Sequence, residues 1–159
     1  MRVVAWVLIG LTVCAGVLIV FSLYAAELRI TVGEVRVVPA AEMQDQFLAL
    51  KQAVEERALL GRQFLAEPIG EPSAYEFHIY NVHLRNNGLI PADWVRLEVR
   101  PDTGDVLQTE NENANILPAM SDGELQAVVL AQQGAGTARK LSLTYFIWSR
   151  FYNILIEGR

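Results

Sequence analysis

From Val3 to Ala26 the chain runs for 24 residues without a charge, and most of them are apolar. Wound as one α-helix, the run reaches about 36 Å against a bilayer core of roughly 30 Å. Residues 1–26 are therefore expected to form a transmembrane anchor, and residues 27–159 a separate domain. A cleaved secretory signal competes with this, because Arg2 and the amino terminus place a short positive region ahead of the run. The run exceeds the usual apolar length of such signals, and Leu23-Tyr24 stand where a small residue should precede a cut near Ala25 to Glu27. Cys14 sits mid-run behind Leu11-Thr12-Val13, without the small residue that precedes a lipid-acceptor cysteine, and is expected to act as a small apolar side chain.

Orientation is the less constrained property. Arg2 flanks one side of the run while Arg29 and Arg36 flank the other, so positive charge nearly balances. A two-residue tail before a signal-like helix, and the lack of cysteine after Ala26, favour the amino terminus inside and the domain outside.

All 18 Asp and Glu follow the run, whereas the 13 Lys and Arg include Arg2 before it, so the domain is acidic. A face that grips nucleic-acid phosphates needs clustered cations, and the only adjacent pair is Arg139-Lys140, which argues against a nucleic-acid partner. The length suits one domain with a core that needs no disulfides.

The domain opens with Leu28 to Val32 and Glu34 to Val38, alternating and β-branched, which predicts a strand bent or bulged at Gly33. After Pro39 the period lengthens: Met43, Phe47, Leu50, Val54 and Ala58 share one face, predicting an amphipathic helix over about 40–66 that Gly61 ends or kinks and Pro68 closes. From Tyr75 onward only strands and turns are expected. Phe77 and Ile79 fall on one parity and Tyr80, Val82 and Leu84 on the other, which predicts a bulge near Ile79. Asn86-Asn87-Gly88 supplies a tight turn. Val95, Leu97 and Val99 then face inward with Arg96, Glu98 and Arg100 outward. Asp105 to Thr109, Leu125 to Ala131, Leu141 to Ile147 and Tyr152 to Ile156 are the later strands, separated by Asn, Gly, Pro and Asp.

Some seven short strands with such gaps predict a mainly β fold, an antiparallel β-sandwich with a helical insertion. The segment Tyr80-Asn81-Val82-His83-Leu84-Arg85-Asn86-Asn87-Gly88, then Pro91-Ala92, Val95 to Val99 and Leu117-Pro118, resembles immunoglobulin-like modules of bacterial and archaeal surface proteins. The resemblance spans about 75–145. It implies an immunoglobulin-like sandwich serving as a spacer or adhesion module, and it transfers no functional residues. The inserted helix departs from the simple module and points to a packing or partner role.

No catalytic constellation emerges. His78 and His83, five apart in one strand, are expected on opposite faces rather than as a metal pair. Ser121, Ser142 and Ser149 lack a Gly-x-Ser-x-Gly elbow and a following helix. Gly134 to Arg139 lacks the helix that would grip phosphate. Asp102, Asp105, Glu110 and Glu112, with Asn111 and Asn113, match no calcium-ligand spacing and are expected to be a solvated acidic loop. No cofactor, metal or small-molecule substrate is expected.

Aromatic residues carry the binding expectation. Trp94 takes an outward position, and Phe146, Trp148 and Phe151 line a face opposite Leu143 and Tyr145, so both faces of the last strands cannot meet one core. The Phe47, Leu50, Val54 stripe is expected to cover this second face, with a partner protein docking elsewhere, near Trp94; the alternative is that a partner covers the face itself. The expected role is a single-pass, non-enzymatic envelope protein whose domain mediates protein assembly. A pilin-like subunit is the alternative, although Pro39 and the strand-like Ile30 to Val38 interrupt the continuous helix it needs, and no acid precedes Glu27. A small extracytoplasmic enzyme has no residues in its favour.

Overall fold

The computed structural model describes residues 2–24, 28–109 and 116–158. The amino-terminal helix α1 spans Arg2–Tyr24. Its segment Val3–Val20 has a mean hydropathy of 2.7, and none of that segment is buried. It is one helix long and apolar enough to cross a membrane. The Thr12 hydroxyl donates to the Leu8 carbonyl at 2.9 Å, so the one hydroxyl inside this window is satisfied by the helix itself.

The remainder is mainly β. Ten strands follow in order: β1 (Leu28–Val32), β2 (Arg36–Pro39), β3 (Gly61–Gln63), β4 (Tyr75–Asn86), β5 (Ala92–Val99), β6 (Asp105–Thr109), β7 (Ile116–Leu117), β8 (Ser121–Gln132), β9 (Arg139–Ile147) and β10 (Arg150–Gly158). A second helix, α2 (Gln44–Glu55), lies between β2 and β3. The six-stranded sheet has the order β1-β4-β8-β6-β3, with β2 also on β4, and the four-stranded sheet the order β10-β9-β5-β7. All described pairings are antiparallel.

The two sheets face each other across a core of Tyr80, Val82 and Leu84 from β4, Leu125, Ala127 and Val129 from β8, Val95, Leu97 and Val99 from β5, and Leu141, Leu143, Tyr145 and Ile147 from β9. Each strand contributes alternate residues, as a two-layer antiparallel fold requires. A second core lies on the far side of the six-stranded sheet, where Phe47 of α2 packs with Phe77, Ile79, Leu107 and Leu130, flanked by Leu50 and Val54.

That second core corrects three expectations. The register of β4 on β8 is continuous from Tyr75 to Asn86, with no bulge near Ile79. Both parities are apolar there because the sheet is buried on both sides, α2 covering Phe77 and Ile79 while the other sheet covers Tyr80 and Val82. The helical stripe therefore covers the six-stranded sheet and not the face that carries Phe146 and Trp148. The helix is also shorter than about 40–66: it ends at Glu55, Arg57 takes a left-handed φ of 57°, and Gly61 already opens β3.

The bulge at Gly33 is present. Val32 pairs with Val82 and Arg36 with Ile79, so the three residues 33–35 oppose only Tyr80 and Asn81. The Gly33 amide donates to the Asn81 carbonyl at 2.8 Å, and a Cβ there would lie 3.3 Å from that oxygen. Asn86-Asn87-Gly88 does not close a hairpin between paired strands. It begins the crossover from β4 to β5, which belong to different sheets. The Asn86 amide donates to the carbonyls of Ile90, Leu117 and Pro118 while its oxygen accepts from the Gly88 amide, which fixes that crossover.

Candidate interaction surface

Strand direction gives the domain two ends. The chain enters at Leu28, opposite Asn86, which in turn pairs with Ser121. The β4–β5 crossover, the start of β5, β7 and the β9–β10 turn share this entry end, because Asp93 pairs with both Ile116 and Phe146. The opposite end holds the β5–β6 and β8–β9 turns.

At the opposite end the chemistry is buried. Arg139 and Asp105 are 5% and 2% exposed and form a bidentate pair, Nε to Oδ2 at 2.8 Å and Nη2 to Oδ1 at 2.7 Å. Asp105 also accepts from the Asp102 amide at 2.8 Å, and the Arg139 Nη1 donates to the Ala138 carbonyl at 3.0 Å. The hydrogen bond to Asp105 chiefly holds the Arg139 pKa above its ordinary value. Beside them the Tyr80 hydroxyl donates to the Thr137 carbonyl at 2.8 Å, and burial pushes its pKa up to about 12, with Arg139 opposing and Asp105 adding. Among the described residues, Asp105, Arg139 and Tyr80 each have a hydrogen-bond partner. The cluster is a lock. Asp105 is thus not part of a solvated acidic loop, and Glu110 to Asn113 lie outside the described residues.

His78 is buried, with Nε2 2.8 Å from Glu76 Oε1 and no hydrogen-bond partner for Nδ1 among the described residues. His83 is exposed beside Glu124 at 4.0 Å, so the two histidines do not converge. Among the described residues no group of three or more His, Cys, Asp or Glu side chains is arranged to hold a metal ion. A cleft of about 490 Å³ beside Arg100, Arg139, Lys140 and Glu157 has a guanidinium already committed to Asp105.

The aromatic residues singled out by the sequence share the entry end of the four-stranded sheet, and two of them touch. Phe146 pairs with Phe151 across β9 and β10, their ring centroids 5.3 Å apart and inclined at 56°. Asp93, next to Trp94, pairs with Phe146 from the other side. Between Asp93 and Arg96 strand β5 carries one more residue than β9 opposite it, and at this bulge Trp94 takes a φ of 52° and stands 73% exposed. Trp148 and Ser149 form the two-residue turn between β9 and β10, with φ of 51° and 60°. Two successive left-handed residues are what a type I′ hairpin turn demands, and Asn-Gly is its preferred occupant. A tryptophan there is strained by roughly 1–2 kcal/mol.

The outward face of the four-stranded sheet continues this patch. Phe151 and Leu155 of β10 are both more than half exposed, and Phe146 of β9 is 37% exposed. Thr144, Asn153 and Ser142 separate them, with the Ser142 hydroxyl donating to Asn153 Oδ1 at 3.0 Å. No described element covers this face. Leu155, Leu89 and Met120 are exposed apolar residues the sequence reasoning missed; the parity of Ile154 and Ile156 against Leu155 was the available signal for the first. No protein-family model matches this chain, and no curated protein matches its sequence.

Proposed function

We propose that this chain is a single-pass membrane protein, amino terminus inside, whose outward domain is a non-enzymatic, immunoglobulin-like assembly module for another envelope protein. The strand order supports the fold assignment: β1-β4-β8-β6 against β10-β9-β5 corresponds to the ABED and GFC sheets of an immunoglobulin constant-type domain, with α2 and β3 inserted between the first two strands. The observation that carries the assembly role is the uncovered sheet face with exposed Phe146, Phe151 and Leu155, set against the other sheet, whose outer face α2 covers. Contiguous exposed apolar surface of this kind marks interaction sites. A pilin-like subunit needs α1 to continue into the domain as helix, and here β1 begins at Leu28.

Mild-detergent purification of the full chain, with mass spectrometry of what accompanies it, tests this reading. The double substitution Phe151→Asp and Leu155→Asp is expected to remove the companion while leaving thermal unfolding unchanged, because both side chains are exposed. A wild-type chain that emerges without a companion counts against assembly. Mature protein beginning at Ala25, Ala26 or Glu27 counts against the anchor.

A further inference from the structure

The exposed large apolar side chains outside α1 are unevenly placed. Of those more than half exposed, Leu89, Trp94, Ile116, Met120, Trp148 and Phe151 stand at the entry end, whereas only Leu48 of α2, Leu60 before β3 and Leu155 of β10 lie elsewhere among the described residues. The turns at the opposite end, Pro101-Asp102-Thr103-Gly104 and Gln133-Gly134-Ala135-Gly136-Thr137-Ala138, expose no Leu, Ile, Met, Phe or Trp. The backbone is also unusual at the entry end. Four of the five non-glycine residues with positive φ in the described chain are Trp94, Met120, Trp148 and Ser149. Left-handed positions that favour Gly or Asn are given to two tryptophans and a methionine, and strain held at exposed side chains marks a functional surface.

Covalent geometry places this end at the bilayer. If α1 spans, as proposed above, four Cα steps separate Tyr24 from Leu28, a reach of at most about 15 Å. The headgroup layer on each side of the hydrocarbon core is about 5–8 Å deep. The tips within reach carry tryptophan, whose amphipathic ring favours that interface, together with Leu and Met, which favour the acyl boundary.

We infer that the entry-end tips Leu89, Trp94, Met120 and Trp148 dock into the outer headgroup layer, seating the domain on the membrane and holding its uncovered sheet face sideways to the bilayer. The occupant is the lipid interface itself. Local charge is mixed, with Arg85 3.7 Å from Asp122, so zwitterionic lipid suffices. The inference rests on the anchor reading.

The test uses tryptophan fluorescence of the full chain reconstituted in phosphatidylcholine bilayers. Trp6, Trp94 and Trp148 are its three tryptophans. In a Trp6→Phe background, lipid brominated high on the acyl chain is expected to remove most of the emission, and aqueous iodide little of it. A second variant, Trp94→Phe with Trp148→Phe, leaves Trp6 to report the anchor. If Trp6 is quenched by brominated lipid while Trp94 and Trp148 answer only to iodide, docking is wrong and the anchor stands. If no tryptophan answers to brominated lipid, both readings fall. If Trp94 and Trp148 are shielded from both quenchers, a protein covers the tips and the lipid inference is overturned.

Discussion

The two ends of the domain solve opposite problems with opposite chemistry. At the end far from α1, charged and polar groups are buried and matched: Asp105 grips Arg139 through two hydrogen bonds, and Tyr80 reaches Thr137. At the entry end apolar groups are exposed and strained, with Trp94 and Trp148 in left-handed conformations. Burying an ion pair makes a position intolerant of change, because either partner alone is an uncompensated charge. A strained, exposed tryptophan is the reverse case: it costs backbone energy at a position where Gly or Asn would not. One end joins β6 of one sheet to β9 of the other through a buried ion pair, and the other leaves its apolar side chains exposed.

The largest expected effect breaks the lock. Asp105→Ala leaves the Arg139 guanidinium buried without its main partner and is expected to destabilise the chain by about 3–5 kcal/mol in chemical denaturation. Replacing both residues by leucine should recover much of that loss, since desolvation of both charges is then avoided. A loss below about 1 kcal/mol for the single substitution would place the lock elsewhere and remove half of the contrast between the ends.

Tyr80 gives the second, smaller effect. Burial pushes its pKa from the ordinary phenol value of about 10 up to about 12, so the folded chain holds the phenol proton more tightly than the unfolded chain. The associated stability is fully present below about pH 10 and is lost as pH rises toward 12, a change on the order of 2 kcal/mol. Denaturation midpoints measured across that range should fall, and Tyr80→Phe should flatten the slope. A slope that persists in Tyr80→Phe would assign it to other groups.

The same contrast explains what the sequence disclosed. Strands open to solvent on one side were legible, because Val95, Leu97 and Val99 alternate with Arg96, Glu98 and Arg100. β4 was legible as a strand but not as one covered on both sides, because two-sided burial erases alternation and a run of four buried residues, Phe77 to Tyr80, imitates a phase slip. Arg139 shares the parity of Leu141, Leu143 and Tyr145, so an inward-facing charge was written in the alternation. Its partner, 34 positions earlier, was not, because pairing across the fold leaves no local pattern. Phe146, Trp148 and Phe151 stood out because they violate the expected parity of one core, but the parity did not say that their face would be left without α2 or that Trp94 would lie at the same end. Which sheet α2 covers was misjudged, because an amphipathic stripe records that a helix packs and not against what.

The smallest expected effect has the opposite sign and bears on the entry end alone. Trp148 occupies the first central position of a turn that prefers Asn-Gly, at a φ of 51° that a bulky side chain adopts at a cost. The residue is 51% exposed and belongs to neither core, so little core packing is lost when it is removed. Trp148→Asn should therefore stabilise the chain by about 0.5–1 kcal/mol in detergent, where no bilayer repays the strain. In a bilayer the gain should shrink or vanish, because the substitution also removes a ring that partitions to the interface. Equal gains in both settings would mean that Trp148 contributes nothing at the membrane and that its strained turn needs another cause. A loss in detergent would mean that the indole packs on Phe146 and Phe151 strongly enough to outweigh the backbone, and the entry end would then be a small aromatic core of its own.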